Sequence, residues 1–247
     1  MSARSSRPSV AELRAATQPP SIFERNSGEH WAGKLYVRRA SPYATRVLLG
    51  LHPNTVTWLM IAAGVAAGAV LGLGDDTVWP ALGAFVLIQL QILLDCSDGE
   101  VARWKGISST VGIYLDRLGH WLTETALPIG LGIGAGEPVL GLVAAVLQLL
   151  IKGESALVAV ARLERGLPKL EDRADVVAPK PSLLAAARRI AARAPFYRVF
   201  VAVEFTGLAL IAAVAGLTDE LLWVLIGAGA LTAALRLVAI LTSDRLR

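Results

Sequence analysis

Residues 95–120 read DCSDGEVARWKGISSTVGIYLDRLGH. The chain has 247 residues, is 54% hydrophobic and carries only 18% charged residues, yet this short stretch holds three aspartates and a histidine: Asp95, Asp98, Asp116 and His120. Ionisable side chains are costly to bury inside long apolar segments, so they are expected to serve a function.

Long apolar runs on both sides of the stretch indicate an all-α integral membrane protein. A helix of about 20 residues crosses the roughly 30 Å of bilayer hydrocarbon. Most of the apolar runs approach that length, and the second reaches it when it continues through the acidic stretch to Arg103. The six predicted transmembrane helices are residues 55–73, 79–94, 111–133, 139–160, 197–217 and 221–241.

The distribution of basic residues predicts the orientation in the membrane. None of the 24 lysines and arginines lies in the short turns at residues 75–76, 134–138 and 218–220. Basic residues mark the cytoplasmic side of membrane proteins, so we expect both termini in the cytoplasm and a plasma (inner) membrane location. A basic loop that faces an anionic leaflet is attracted to lipid, and no nucleic-acid partner is expected.

The sequence divides into three predicted regions. Residues 1–30 are expected to be a flexible N-terminal arm without assigned chemistry. Residues 31–50 mix Trp, Tyr and Leu with Lys and Arg, which predicts an amphipathic surface helix, and Ser41-Pro42 is typical of a helix start. Residues 51–247 are expected to form a six-helix transmembrane catalytic domain with a cytoplasmic loop at about residues 161–196.

The two halves of the acidic stretch are predicted to lie at the same depth. Asp95 precedes Arg103 by eight residues, or about 12 Å of helix, and Asp116 and His120 lie about 10 to 17 Å along the next helix. Residues three or four apart share one helix face, as do Asp95 with Asp98 and Asp116 with His120. If these faces meet, they form an acidic pocket that opens to the cytoplasm.

The residue types in this pocket favour phosphoryl chemistry at a metal. Carboxylates at membrane depth repel one another unless a cation neutralises them, and oxygen-rich sites suit Mg²⁺, Mn²⁺ or Ca²⁺. Gly99 lets a ligand approach the backbone, and the guanidinium of Arg103 can hold a phosphate.

Four further polar residues allow two interpretations each. Asn54 and Thr57 begin the first predicted span, where helix caps and ligand donors use the same residue types. Lys152 and Arg236 lie within apolar runs, where they could bind a phosphate on an acceptor or extend their charges to the membrane surface.

The pattern Asp95-x2-Asp98-Gly99-x2-Ala102-Arg103-x8-Gly112-x3-Asp116-x3-His120 resembles the signature of the CDP-alcohol phosphotransferase family. Seven of the eight signature identities are present at the family's spacing. The resemblance implies a membrane enzyme of phospholipid synthesis that transfers a substituted phosphoryl group from a CDP-linked alcohol to an acceptor hydroxyl and releases CMP. The expected donor is CDP-diacylglycerol, and the acceptor is a small alcohol that is free or phosphorylated.

The resemblance also assigns roles to the signature residues. By position, Asp95, Asp98 and Asp116 resemble the ligands of a pair of Mg²⁺ or Mn²⁺ ions. The family's CDP-binding residues resemble, by position, Gly99, Ala102, Arg103 and Gly112 of this chain. Asn54 and Thr57 are further candidates for binding the nucleotide. The family resemblance implies a homodimer.

His120 stands where the family has its fourth aspartate, and its role is left open among three. It could be the general base, held by Glu124 one turn on; it could be a metal ligand; or it could mark a loss of activity. The first is favoured, while a merely structural histidine is the alternative to all three. A degenerate member that binds nucleotide or lipid without turnover, and a cation transporter that uses the acidic pocket, are the competing functions.

Overall fold

The computed structural model describes residues 8–20, 32–74, 78–168 and 196–242, and these ranges contain helices and no β-strand. A π-helical turn, Gly33–Val37, leads into the second α-helix, and a 3₁₀ turn, Phe196–Phe200, precedes the seventh. The α-helices are α1 Val10–Thr17, α2 Arg38–Leu48, α3 Pro53–Gly72, α4 Val78–Lys105, α5 Thr110–Gly134, α6 Pro138–Glu164, α7 Ala202–Ala215 and α8 Thr218–Thr242.

Within these ranges, four helices are long and apolar enough to cross a membrane: α3, α4, α6 and α8. The prediction of an all-helical protein with membrane-spanning helices is therefore confirmed in outline. The third predicted span forms the 25-residue α5, which carries charged side chains, and the fifth forms the 14-residue α7. Six spans and the orientation of the termini stay predictions.

Part of the expected flexible arm forms helix α1. The side chain of Ser9 accepts a hydrogen bond from the backbone N–H of Glu12 at 3.2 Å, and the Glu12 carboxylate accepts one from the N–H of Ser9 at 2.7 Å. This reciprocal capping box stabilises a helix start and follows from the Ser-x-x-Glu spacing, which the sequence analysis overlooked. Residues 1–7 and 21–30 of the arm lie outside the described residues.

A surface helix is predicted at residues 31–50, and the described residues from Ala32 to Leu48 are helical. Ser41 and Pro42 lie inside α2, so the expectation of a helix start at these two residues is wrong. Proline has no N–H, and inside a helix it leaves the carbonyl four residues earlier without its usual donor. Here that carbonyl belongs to Arg38, and the side-chain amide of Gln18 donates to it at 2.8 Å.

The described helices fall into two compact units. The first unit comprises Met1–Ala67 and Gly83–Thr123, and the second comprises Gly68–Leu82 and Glu124–Arg247. The boundary falls within α3, α4 and α5. The first unit has an apolar core in which residues of α3 pack with a leucine of α4: Val56, Met60, Ile61, Ala63 and Leu94.

A tight turn connects α4 with α5 in the first unit. Gly106 has a φ of +66°, a left-handed conformation that glycine adopts without strain. The N–H of Ile107 donates to the carbonyl of Ala102 at 2.9 Å, a bond typical of helix ends that turn in this way. Ser109 then caps α5 by accepting a hydrogen bond from the N–H of Gly112 at 3.0 Å. The chain thus reverses within a few residues.

The second unit is packed through glycines. A β-carbon on Gly68 would lie 2.6 Å from the carbonyl oxygen of Ala126, and one on Gly132 would lie 2.6 Å from the Cα of Gly141. Such distances leave no room for a side chain, so these helices approach each other closely because glycine is present. Residues 169–195, which include most of the predicted cytoplasmic loop, lie outside the described residues.

Candidate active site

A cavity of about 390 Å³ lies in the first unit between α3, α4 and α5. Ten of the twelve residues predicted from the sequence to form the site line it: Asn54, Thr57, Asp95, Asp98, Gly99, Ala102, Arg103, Gly112, Asp116 and His120. The signature residues therefore share one surface because the turn at Gly106 folds α5 back beside α4. The other two predicted residues, Lys152 and Arg236, belong to the second unit.

His120 lies between two carboxylates at this surface. Its Nε2 is 3.2 Å from Oδ1 of Asp95 and 3.7 Å from Oδ1 of Asp116. Asp95 comes from α4 and Asp116 precedes His120 by one turn of α5, so the contact across the two helices sets the orientation of the ring. Glu124, which the sequence offered as the group that holds the imidazole, instead pairs with Lys152.

The fourth predicted metal ligand, Asp98, occupies a different position in the same cavity. The hydroxyl of Thr57 donates a hydrogen bond to its Oδ2 at 2.7 Å. Thr57 is buried on α3, so its hydroxyl links the start of that helix to the acidic face of α4. Thr57 thus contacts a predicted metal ligand. Its sequence position alone could not distinguish this role from that of a helix cap.

The remaining signature residues form the cavity wall beside the carboxylates. A β-carbon on Gly99 would lie 3.0 Å from Nη1 of Arg103, so glycine leaves the space in which this guanidinium folds back over α4. A β-carbon on Gly112 would lie 3.3 Å from Oδ1 of Asn54. Both glycines therefore make room for polar side chains that line the cavity.

A group of polar residues behind this wall was not predicted from the sequence. Glu100 is 0% exposed, and its carboxylate accepts hydrogen bonds from Ser41 at 2.5 Å, Gln18 at 2.8 Å and Thr45 at 2.7 Å. Arg38, which also lines the cavity, lies 3.6 Å from the same carboxylate. The spacing of Ser41 and Thr45, one turn apart on an otherwise apolar and basic helix, was the available signal.

Lys152 and Arg236 each pair with a carboxylate of the second unit. Lys152 Nζ lies 3.0 Å from Oε2 of Glu124, which also accepts a hydrogen bond from Gln148. Arg236 Nε lies 3.5 Å from Oε2 of Glu154, and its guanidinium also donates to Ser155. Whether either residue also binds a phosphate stays a prediction.

The donor atoms in the cavity fit a divalent metal ion. One ligand atom each from Asp95, Asp116 and His120 lies within 4.8 Å of the other two, a spacing that one ion can bridge. Two carboxylates and an imidazole are ligands that Mn²⁺ accepts readily, while Mg²⁺ prefers oxygen. Asp98 lies outside this group of three, so the structure brings three of the four predicted ligands together.

Comparison with known proteins gives a family match to this region. The family model for CDP-alcohol phosphatidyltransferase matches residues 50–169, a range that contains all ten predicted cavity residues. A search of curated proteins found no match. Members of this family transfer a phosphoryl group from a CDP-alcohol in lipid synthesis and generally depend on metal. The chain therefore carries a CDP-alcohol phosphatidyltransferase family domain, which spans residues 50–169.

Proposed function

We propose that this protein is a metal-dependent enzyme of phospholipid synthesis that uses CDP-diacylglycerol as its donor. It transfers the phosphatidyl group to the hydroxyl of a small acceptor and releases CMP. The observation that carries this proposal is the single cavity that joins a cluster of metal-binding side chains with Gly99, Ala102, Arg103 and Gly112. An acidic end suits a metal-bound diphosphate, and a glycine-lined wall with a guanidinium suits the nucleotide.

In the proposed reaction, the acceptor oxygen forms a bond to the phosphorus that carries the lipid. The bond between that phosphorus and the bridging oxygen of CMP breaks, and CMP leaves with the electron pair. The acceptor's proton goes to His120. An imidazole can accept a proton near neutral pH, and the contacts of Nε2 with Asp95 and Asp116 orient the ring.

Asp95, Asp98 and Asp116 are the residues that would hold Mg²⁺ or Mn²⁺ while His120 serves as the base; His120 would be a ligand only in place of that role, because a neutral imidazole has one basic nitrogen. The metal supplies positive charge that neutralises the diphosphate as CMP departs. We propose two ions by analogy with the family. The histidine makes the pocket less negative than four carboxylates would, so the second ion is expected to bind more weakly than the first.

We further propose that the protein is a homodimer in the plasma membrane and that its cavity opens to the cytoplasm. The basic turns support this orientation. Exposed apolar side chains on α2 and the turn before it, Leu35, Tyr43 and Val47, support contact of this segment with the inner leaflet. Lys152 and Arg236 remain our candidates for binding a phosphate on the acceptor.

The test is CMP release by the purified protein in detergent. The donor is CDP-diacylglycerol with Mg²⁺ or Mn²⁺, and the acceptors are glycerol 3-phosphate, inositol 1-phosphate, inositol and serine. We expect release that requires both metal and one of the acceptors, and that disappears in Asp95→Asn. Asp219→Asn, at an exposed position in the first turn of α8, is the matched control and should retain full activity.

A negative result would point to a different role. If CDP binds but no donor and acceptor pair yields CMP, the proposed turnover is wrong and the protein is a binding protein that has lost the reaction at His120. If His120→Asp then releases CMP, the loss is located at that residue.

A further inference from the structure

The N-terminal segment reaches the wall of the cavity. The backbone carbonyl of Thr17, the last residue of α1, accepts a hydrogen bond from Nε of Arg103 at 2.6 Å. Thr17 is 0% exposed, and Arg103 lines the cavity. A fixed carbonyl that accepts the Nε–H of a guanidinium sets the plane of that guanidinium, and so the direction from which its N–H groups can meet a phosphate. The position of Thr17 therefore bears on how Arg103 meets a phosphate.

Gln18 anchors this carbonyl. Its side-chain amide donates to the carboxylate of Glu100 and to the backbone carbonyl of Arg38, both at 2.8 Å. The carbonyl of Arg38 is the one that Pro42 leaves without a helical donor, and Glu100 is fully buried. The carbonyl of Arg38 would be costly to leave unpaired, and the bond to the Glu100 carboxylate is charge-assisted, so both contacts hold Gln18 in place. Because Gln18 follows Thr17 directly, the same contacts fix the Thr17 carbonyl.

A second contact supports the docking of α1. The guanidinium of Arg14 donates to the backbone carbonyl of Arg39 at 3.1 Å, and Leu13 is 0% exposed. The segment is thus held by contacts at both turns of α1. All these residues lie before residue 50, outside the range that matches the family model.

We propose that Thr17 and Gln18 are positioning residues of the donor site. They fix the guanidinium of Arg103 in the orientation that binds the diphosphate of a CDP-linked donor, and Gln18 acts through Glu100 and Arg38 rather than by touching the substrate. This inference rests on the proposed function, because it assigns the diphosphate as the ligand of Arg103.

The test measures CDP binding in the presence of Mn²⁺ by isothermal titration of the full-length protein in detergent. Gln18→Ala is expected to raise the Kd for CDP about tenfold, the effect of losing one charge-assisted hydrogen bond. Gln89→Ala, which removes a glutamine that accepts a hydrogen bond from Tyr36 elsewhere in the first unit, is the matched control and should leave the Kd unchanged.

A double-mutant cycle separates positioning from a general structural role. In the Arg103→Ala background, Gln18→Ala should raise the Kd by less than about twofold, because the group that it positions is gone. If Gln18→Ala does not give folded protein, Gln18→Asn takes its place in the same cycle. Donor turnover should show the loss chiefly as a higher KM.

The outcomes are distinct. An unchanged Kd in Gln18→Ala, or an equal loss in both backgrounds, would overturn the positioning role while leaving the proposed function standing. A wild-type protein that binds no CDP would overturn the proposed function and this inference together.

Discussion

In the cavity of the first unit, Asp95, Asp98 and Asp116 share one surface with a single imidazole, whereas in the second unit each of two buried glutamates has a basic partner of its own. Lys152 pairs with Glu124, and Arg236 pairs with Glu154. Paired charges within apolar helices are costly to separate, and carboxylates that crowd a cavity repel one another until a cation binds. Burial of charge alone therefore does not identify a catalytic site, but the balance of charge at the site does.

The largest effect is expected where the carboxylates face the cavity. Asp95→Asn and Asp116→Asn should each lower CMP release by about 10³-fold or more, because a metal ligand is lost. Their melting temperatures without metal should be unchanged or higher, since each substitution removes charge repulsion. Activity assays and thermal unfolding in detergent, with Asp219→Asn alongside, measure both quantities. A parallel fall in activity and melting temperature would place these aspartates with the structural pairs.

The opposite result is expected in the second unit. Lys152→Met should lower the free energy of unfolding by about 3 kcal/mol, because Glu124 is left as an unpaired buried charge. Adding Glu124→Gln should restore most of the loss. Thermal unfolding in detergent measures the change.

Kinetics with two acceptors sharpen this prediction. If Lys152 only pairs with Glu124, the KM values for inositol and for inositol 1-phosphate should change equally in Lys152→Met. A rise confined to the phosphorylated acceptor would show that Lys152 also binds the phosphate.

His120 shares features of both regions, because its imidazole pairs with carboxylates, as Lys152 does, and also faces the cavity. His120→Ala should lower CMP release by about 10²- to 10⁴-fold, as expected for loss of a general base. His120→Asp should retain activity to within about tenfold and bind Mn²⁺ more tightly, since it adds a negative charge. Titration of Mn²⁺ by electron paramagnetic resonance reports the affinity independently of turnover. Weaker Mn²⁺ binding in His120→Asp would contradict this expectation.

The smallest effect is expected at the partly exposed pair of the second unit. Arg236 is 32% exposed and Lys152 is 18% exposed, so less of the Arg236 charge is buried within the protein. Glu154→Gln should therefore cost about 1 kcal/mol of stability, at the upper end of the range for exposed ion pairs. A loss as large as that in Lys152→Met would mean that both pairs are equally buried in the membrane.

Much of the cavity could be predicted from the sequence because its residues are close together in the chain. Asp95, Asp116 and His120 come from two consecutive helices, and helical periodicity determines which side chains share a face. The same periodicity could not show that α1 forms, because the sequence signal for α1 is a capping box within a polar segment. Nor could it show the partner of Glu100, because Gln18 lies 82 residues away.

The partners of His120 and Lys152 show a second limit. Spacing along α5 offered Glu124 as the neighbour of His120, one turn on. In the structure, Glu124 instead forms an ion pair with Lys152, which lies on α6. A contact between helices depends on how the helices are rotated about their axes, and that rotation is set by the close packing of glycines such as Gly132 and Gly141. Residue spacing within one helix does not contain that information.

The turn at Gly106 also has a consequence for how the protein folds. It joins the helices that carry Asp95, Asp116 and His120, so these three side chains can meet as soon as one helical hairpin has formed. Contacts between residues so close in sequence form faster than contacts that must close long loops. The hairpin is synthesised before α6 to α8, and the three side chains can therefore come together while the second unit is still incomplete.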